Sequence, residues 1–140
     1  MPEQDVLLFR VDQTQTPSLW KAQRAFKSAE VLRERAHWDC AANRYYYAAA
    51  QIAFHYMRYT TPNGRYSNGR YWKKGEIESE YVQRHDSRAL SALQRSLAAR
   101  TRGDYSPLAV TPKDIEGFFR LVAEMIVRAF QRENIPRVTP

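Results

Sequence analysis

Between Thr16 and Arg132 the apolar residues recur mostly at steps of three and four, the period of a helix face rather than of a strand. Leu19, Ala22, Phe26, Ala29, Leu32 and Ala36 mark the first stripe, widened by Trp20, Ala25 and Val31. Thr16-Pro17 supplies an N-cap and a proline at the first helical position, so a helix from about 17 to 37 is predicted. The second stretch, 40–59, reads CAANRYYYAAAQIAFHYMRY and contains no Gly, Pro or acidic residue. It is apolar round most of its circumference, as suits a central helix touched on several sides. One polar stripe interrupts it: Arg44, Gln51, His55 and Arg58 fall within roughly 60° of one another at about 100° per residue.

Further along, Ala89, Leu90, Leu93 and Leu97 predict a helix from 86 or 87 to 101, ended by Gly103 and Pro107. Thr111-Pro112-Lys113-Asp114 is the strongest start signal, with a Thr cap, Pro at N1 and a carboxylate at N3. The last helix is expected to run to about Arg132, burying Ile115, Phe118, Phe119, Val122, Met125, Ile126 and Ala129. Residues 60–75 hold Pro62 and two Asn-Gly steps and predict a loop or small hairpin, while 76–83 fits a short helix or an extended segment. Residues 1–15 and 134–140 read as tails, the first with a short apolar run, Val6 to Phe9, that lies on the domain. With no strands alternating with the helices, the expected fold is all-α: an antiparallel four-to-five-helix bundle in one domain spanning 1–140.

Composition narrows the class. A chain of 140 residues is long enough for one core. It has no run of 18 apolar residues, which argues against a membrane span, and the Val6–Phe9 run behind Glu3 and Asp5 is too short for a secretory signal. A single cysteine, Cys40, rules out an internal disulfide, and its place in an apolar helix predicts a buried thiol. A cytoplasmic location is therefore expected. Three scattered histidines and one cysteine offer no ligand spacing, and there is no Gly-rich phosphate loop or Gly-x-Ser-x-Gly, so neither metal nor cofactor is expected.

The net charge of +7 and a pI near 9.8 are compatible with an anionic partner. Charge and rings concentrate in 56–75, which includes a tandem repeat, Asn63-Gly64-Arg65-Tyr66 and Asn68-Gly69-Arg70-Tyr71, and holds no acid before Glu76. Cations neutralise phosphates while exposed rings stack on unpaired bases. Arg58, Arg65, Tyr66, Arg70, Tyr71, Trp72, Lys73 and Lys74 are thus the candidate nucleic-acid interface. The competing reading is a solvated loop whose tyrosines lie back on the bundle under stacked arginines.

Three features in order resemble the HEPN superfamily of small helical domains. They are Ala29-Glu30-x-Leu32 followed by Asp39-x-Ala41-x-Asn43-Arg44-x-Tyr46-Tyr47-Ala48, then His85 at a helix start, then Arg102-Gly103-Asp104-Tyr105 before the last helix. The resemblance spans roughly 18–132 and implies a helical bundle that usually forms a homodimer. Many members are ribonucleases, often toxins paired with a minimal nucleotidyltransferase antitoxin, and others are binding or assembly modules. The active members resemble one another in an Arg, a polar residue, three to five more residues and a His. Here His37, His55 and His85 would need an Arg at 30–32, 48–50 or 78–80, which hold Glu-Val-Leu, Ala-Ala-Ala and Glu-Ser-Glu. The motif is absent.

Arg44 and His55 share a face but stand about 16 Å apart along the axis, too far to act on one phosphate within a chain. An antiparallel dimer would be needed to bring them together. His85, Arg102, Arg44 and His55 remain as weak catalytic candidates. The plainer readings are a helix start for His85-Asp86 and a local ion pair for Arg102 with Asp104. The expectation is therefore a non-catalytic cytoplasmic module that binds RNA or single-stranded nucleic acid, or a nucleotidyltransferase-type protein, in a toxin–antitoxin or defence setting. The alternatives are a metal-independent ribonuclease toxin with an atypical Arg/His site and a purely structural assembly subunit.

Overall fold

A computed structural model describes residues 5–60, 74–105 and 109–138, without the side chains of 58–60, 74, 104 and 105. Its helices are α1 (Pro17–Glu34), α2 (Trp38–Thr60), α3 (Lys74–Arg84), α4 (Leu90–Tyr105), α5 (Pro112–Glu116) and α6 (Phe119–Arg132). Two short 3-10 turns, Val6–Leu8 and Ser87–Ala89, complete the described elements. The fold is an all-α bundle.

The Ala- and Tyr-rich α2 is its axis and touches α1, α3, α4 and α6. Side-chain contacts give the directions. Arg33 reaches Tyr45, so α1 and α2 form a tight antiparallel hairpin. Arg100 lies over Tyr46 while Gly103 meets Asp39, so α4 is also antiparallel to α2. Tyr45 meets Phe118 and Tyr56 meets Ala129, so α6 runs in the same sense as α2.

Small residues let α1 and α2 approach closely: Ala22, Ala25 and Ala29 on one and Ala41, Ala48, Ala49 and Ala53 on the other are fully buried. Phe26, Tyr45 and Phe118 then fill the centre edge to face, with ring centroids 5.6 and 5.9 Å apart. The buried Tyr45 hydroxyl donates to Glu30 and accepts from Arg33 Nε at 3.0 Å, and Arg33 lies over Phe119 at 4.4 Å. Burial, with the Glu30 carboxylate beside it, pushes that hydroxyl well above the usual tyrosine range.

Several expectations change. The first helix stops at Glu34, because Ala36 takes φ 62° and its N–H, with that of His37, closes the helix end on Arg33 O and Leu32 O. Glycine is the usual residue in that conformation, so an alanine there carries no stop signal. Cys40, expected to be buried, is exposed, because it lies in the first turn of α2 on the side away from the core. Gly103 does not end α4 but sits inside it. A Cβ there would come within 3.3 Å of Val110 and 3.4 Å of Asp39, so glycine permits the close approach of α4 to the start of α2.

The last helix is broken at Gly117-Phe118, which turns both Phe118 and Phe119 inward where a straight helix would set them about 100° apart. Its start carries the expected box: Asp114 N–H donates to the Thr111 hydroxyl and Thr111 N–H to the Asp114 carboxylate. The ambiguous 76–83 stretch is helical, because Tyr81 is fully buried. The two tails are tied together, Arg10 N–H donating to Pro136 O and Phe9 bridging Arg137.

Candidate functional site

Of the predicted nucleic-acid interface, Arg65, Tyr66, Arg70, Tyr71, Trp72 and Lys73 lie outside the described residues, as do the side chains of Arg58 and Lys74. The four weak catalytic candidates divide. Arg102 pairs with Asp114 at 2.8 Å and stands at the capping box of α5. Arg44 lies over the ring of Tyr47 at 4.8 Å. His55 and His85, thirty residues apart in sequence, both stand against one ring, that of Tyr56, each with a centroid separation of 5.0 Å.

A third partner was not visible in the sequence. Arg132, at the end of α6, lies 4.8 Å above Tyr56 and 5.8 Å from Tyr81. An imidazole and a guanidinium therefore converge on one ring, although the sequence places no arginine at the family spacing before a histidine. That spacing lies along a single helix, whereas here α2, α3 with the turn after it, and α6 each contribute. Tyr81, in the last turn of α3, and His85, just past its end, stack four residues apart, a spacing that is visible along the chain.

What the cluster does chemically follows from its hydrogen bonds. Arg132 Nε donates to the Tyr56 hydroxyl at 3.2 Å and Nη2 to the Tyr81 hydroxyl at 2.6 Å, while Nη1 stands 3.8 Å from Asp86. Tyr56 donates in turn to Ala129 O at 3.2 Å. Asp86 is buried, caps the Ser87–Ala89 turn through Arg88 N–H and pairs with Arg128 at 2.9 Å. The expected helix-start reading of His85-Asp86 is thus met by Asp86.

Burial lowers the proton affinity of both histidines, opposed at His55 by the Glu133 carboxylate 3.6 Å away and reinforced at His85 by Arg132 and Arg84. Burial also pushes the Tyr56 hydroxyl up to about 12. The imidazoles have the protonation a general base requires, but all three nitrogens of Arg132 already face protein acceptors. A cation that stabilises a phosphorane needs donors aimed at the reacting phosphate. As it stands, Arg132 ties three helices together.

A different part of α2 is left open. A groove of about 410 Å³ runs between α2, α3 and α4, lined by Asn43, Tyr46, Tyr47, Ala50, Gln51, Phe54, Ile77, Glu78 and Arg100. Tyr47 is 36% and Phe54 37% exposed, unusually high for large rings on a central helix. They lie two turns apart, about 10 Å, with the small Ala50 between them and the amides of Asn43 and Gln51 alongside. Ile77, Glu78 and Arg100 come from the facing helices, and Tyr46 joins them to α2, its hydroxyl donating to Glu78 and its ring carrying Arg100 at 5.4 Å.

The polar stripe of α2 therefore does not act as a unit. Gln51 serves the groove, His55 the cluster, and Arg44 covers Tyr47. Asn43 and Tyr47 fall in one short stretch of the sequence, but only the packing shows that both line the groove. Among the described residues no group of three or more His, Cys, Asp or Glu could hold a metal, and no helix is long and apolar enough to cross a membrane. Compared with protein families, curated proteins and solved structures, the chain has no match, so its function is argued from these side chains.

Proposed function

We propose that this chain is a non-catalytic, HEPN-like domain that binds RNA, taking unpaired bases into the α2 groove while nearby arginines and the basic 56–75 segment neutralise phosphates. The observation that carries this reading is the pair of exposed rings, Tyr47 and Phe54, two turns apart over Ala50 and flanked by Arg44 and Arg100. Flat bases stack on such rings whatever their sequence, and the Asn43 and Gln51 amides offer donors and acceptors to base edges. The chain's net charge of +7 adds a long-range attraction.

Fluorescence anisotropy with a single-stranded RNA tests it. Salt-sensitive binding that weakens at least about tenfold in Tyr47→Ala/Phe54→Ala is expected. A folded protein indifferent to RNA at low salt would overturn the reading in favour of a protein partner, such as the nucleotidyltransferase that the HEPN resemblance implies, or of a structural subunit.

The second reading, a metal-independent ribonuclease, is favoured by the convergence of His55, His85 and Arg132 around Tyr56. It ranks lower because the guanidinium is engaged by Tyr56, Tyr81 and Asp86. RNA cleavage that survives a chelator and vanishes in His85→Ala would reverse the ranking.

A further inference from the structure

We infer that the outward face of α1 is a second binding surface, one that holds the phosphate backbone of a single-stranded RNA. Leu19, Ala22, Ala25, Phe26 and Ala29 are fully buried, which turns Lys21, Arg24, Lys27 and Ser28 to solvent. The three cations follow one another at steps of three, forming a ridge whose neighbours are about 5–6 Å apart. Beside the ridge is a shallow concavity of about 500 Å³, lined by Arg24, Lys27, Ser28, Val31 and Leu32. Arg24 lies over the half-buried Trp20 ring at 4.8 Å, which holds its guanidinium flat against the helix.

Charge pairing separates this surface from five of the arginines elsewhere. Arg33, Arg84, Arg102, Arg128 and Arg132 each stand against a carboxylate. Lys21, Arg24 and Lys27 form no ion pair with any described residue. No acid occurs between Asp12 and Glu30, and Glu30 is taken by Arg33 and Tyr45. Like charges at this spacing repel one another, and no carboxylate among the described residues pairs with them. A row of phosphates would.

An anionic membrane fits less well, because the apolar side of α1 is spent on the core and Val31 is the one large aliphatic side chain exposed along it. The surface is distinct from the α2 groove in chemistry: it takes phosphates, where the groove takes bases. The two are therefore separable by measurement.

The test uses the intact protein and a fluorescent oligouridine of about a dozen nucleotides, titrated at several salt concentrations between about 50 and 200 mM. Each phosphate contact on a single strand contributes roughly 0.7 to the slope of log affinity against log salt, so Lys21→Gln/Arg24→Gln/Lys27→Gln should lower that slope by about 2. Lys27→Glu alone should lower it by about 1 or more, and both variants should melt with the parent, since all three positions are exposed. An unchanged slope in the triple variant overturns the inference and leaves the groove reading standing. Weakened groove variants with an unaltered slope support it, and a parent protein that ignores RNA or prefers anionic vesicles sinks it.

Discussion

Tyr47 and Tyr56 lie on one helix, nine residues apart, and meet opposite fates. Tyr56 is enclosed: two imidazoles stand against its ring, a guanidinium covers it, and its hydroxyl both donates to Ala129 O and accepts from Arg132. Tyr47 is covered on one side by Arg44 and partly exposed along a groove that the half-buried Asn43 and Gln51 also line. The difference comes from what each turn of α2 meets. Near Tyr56, α3 and α6 converge and the tyrosine hydroxyls brought inside are hydrogen-bonded, because an unmatched polar atom costs about 1–3 kcal/mol. Near Tyr47 a groove opens between α2, α3 and α4, and part of the aromatic surface is exposed. Polar richness marks the brace, and leftover apolar surface marks the better binding candidate.

The comparison is broken most forcefully at Asp86. Asp86→Ala should destabilise the fold by about 3–5 kcal/mol, because it strands the mostly buried Arg128 guanidinium beside Arg132, and chemical denaturation reads this directly. The RNA affinity of the folded fraction should not move. Tyr47→Ala/Phe54→Ala should do the reverse. Binding should weaken by about 1–3 kcal/mol per stacked base, while stability changes by less than about 1 kcal/mol. If the double variant unfolds instead, the groove is a buried face and the contrast fails.

Tyr56→Phe keeps the ring and removes the hydrogen bonds of the hydroxyl, those with Ala129 O and Arg132 among them. It should cost about 1 kcal/mol in denaturation and nothing in RNA binding.

The smallest effect expected is that of pH. His55 and His85 both have folded-state proton affinities below the ordinary histidine value of 6.5, with burial the leading cause. The unfolded chain then binds protons that the folded chain refuses. Their contribution is complete above about pH 6.5 and is lost as the pH falls through the folded values. Melting at about pH 7.5 and about pH 5.5 should show the drop, and His55→Gln should flatten it. A melting temperature that rises on acidification would mean that Glu133, rather than burial, governs His55.

How much of this was legible in the sequence varies with the range of the interaction. The Thr111 cap box was readable because donor and acceptor are three residues apart, and the central role of α2 because its composition is apolar on nearly every side. The end of α1 at Ala36 was not, since an alanine in the left-handed region carries no signature. Gly103 looked like a stop, yet serves a close approach to Asp39 and Val110 that is invisible along the chain. The convergence of His55, His85 and Arg132 needed three helices to be placed before any of its distances existed.

By itself the sequence determined that the chain is helical, that α2 lies at the centre and that the protein carries excess positive charge, because period, capping and composition are local properties. The tertiary structure alone decided which tyrosines are locked and which are open, and which arginines find a carboxylate. Burial and charge pairing depend on distances between segments that periodicity does not encode.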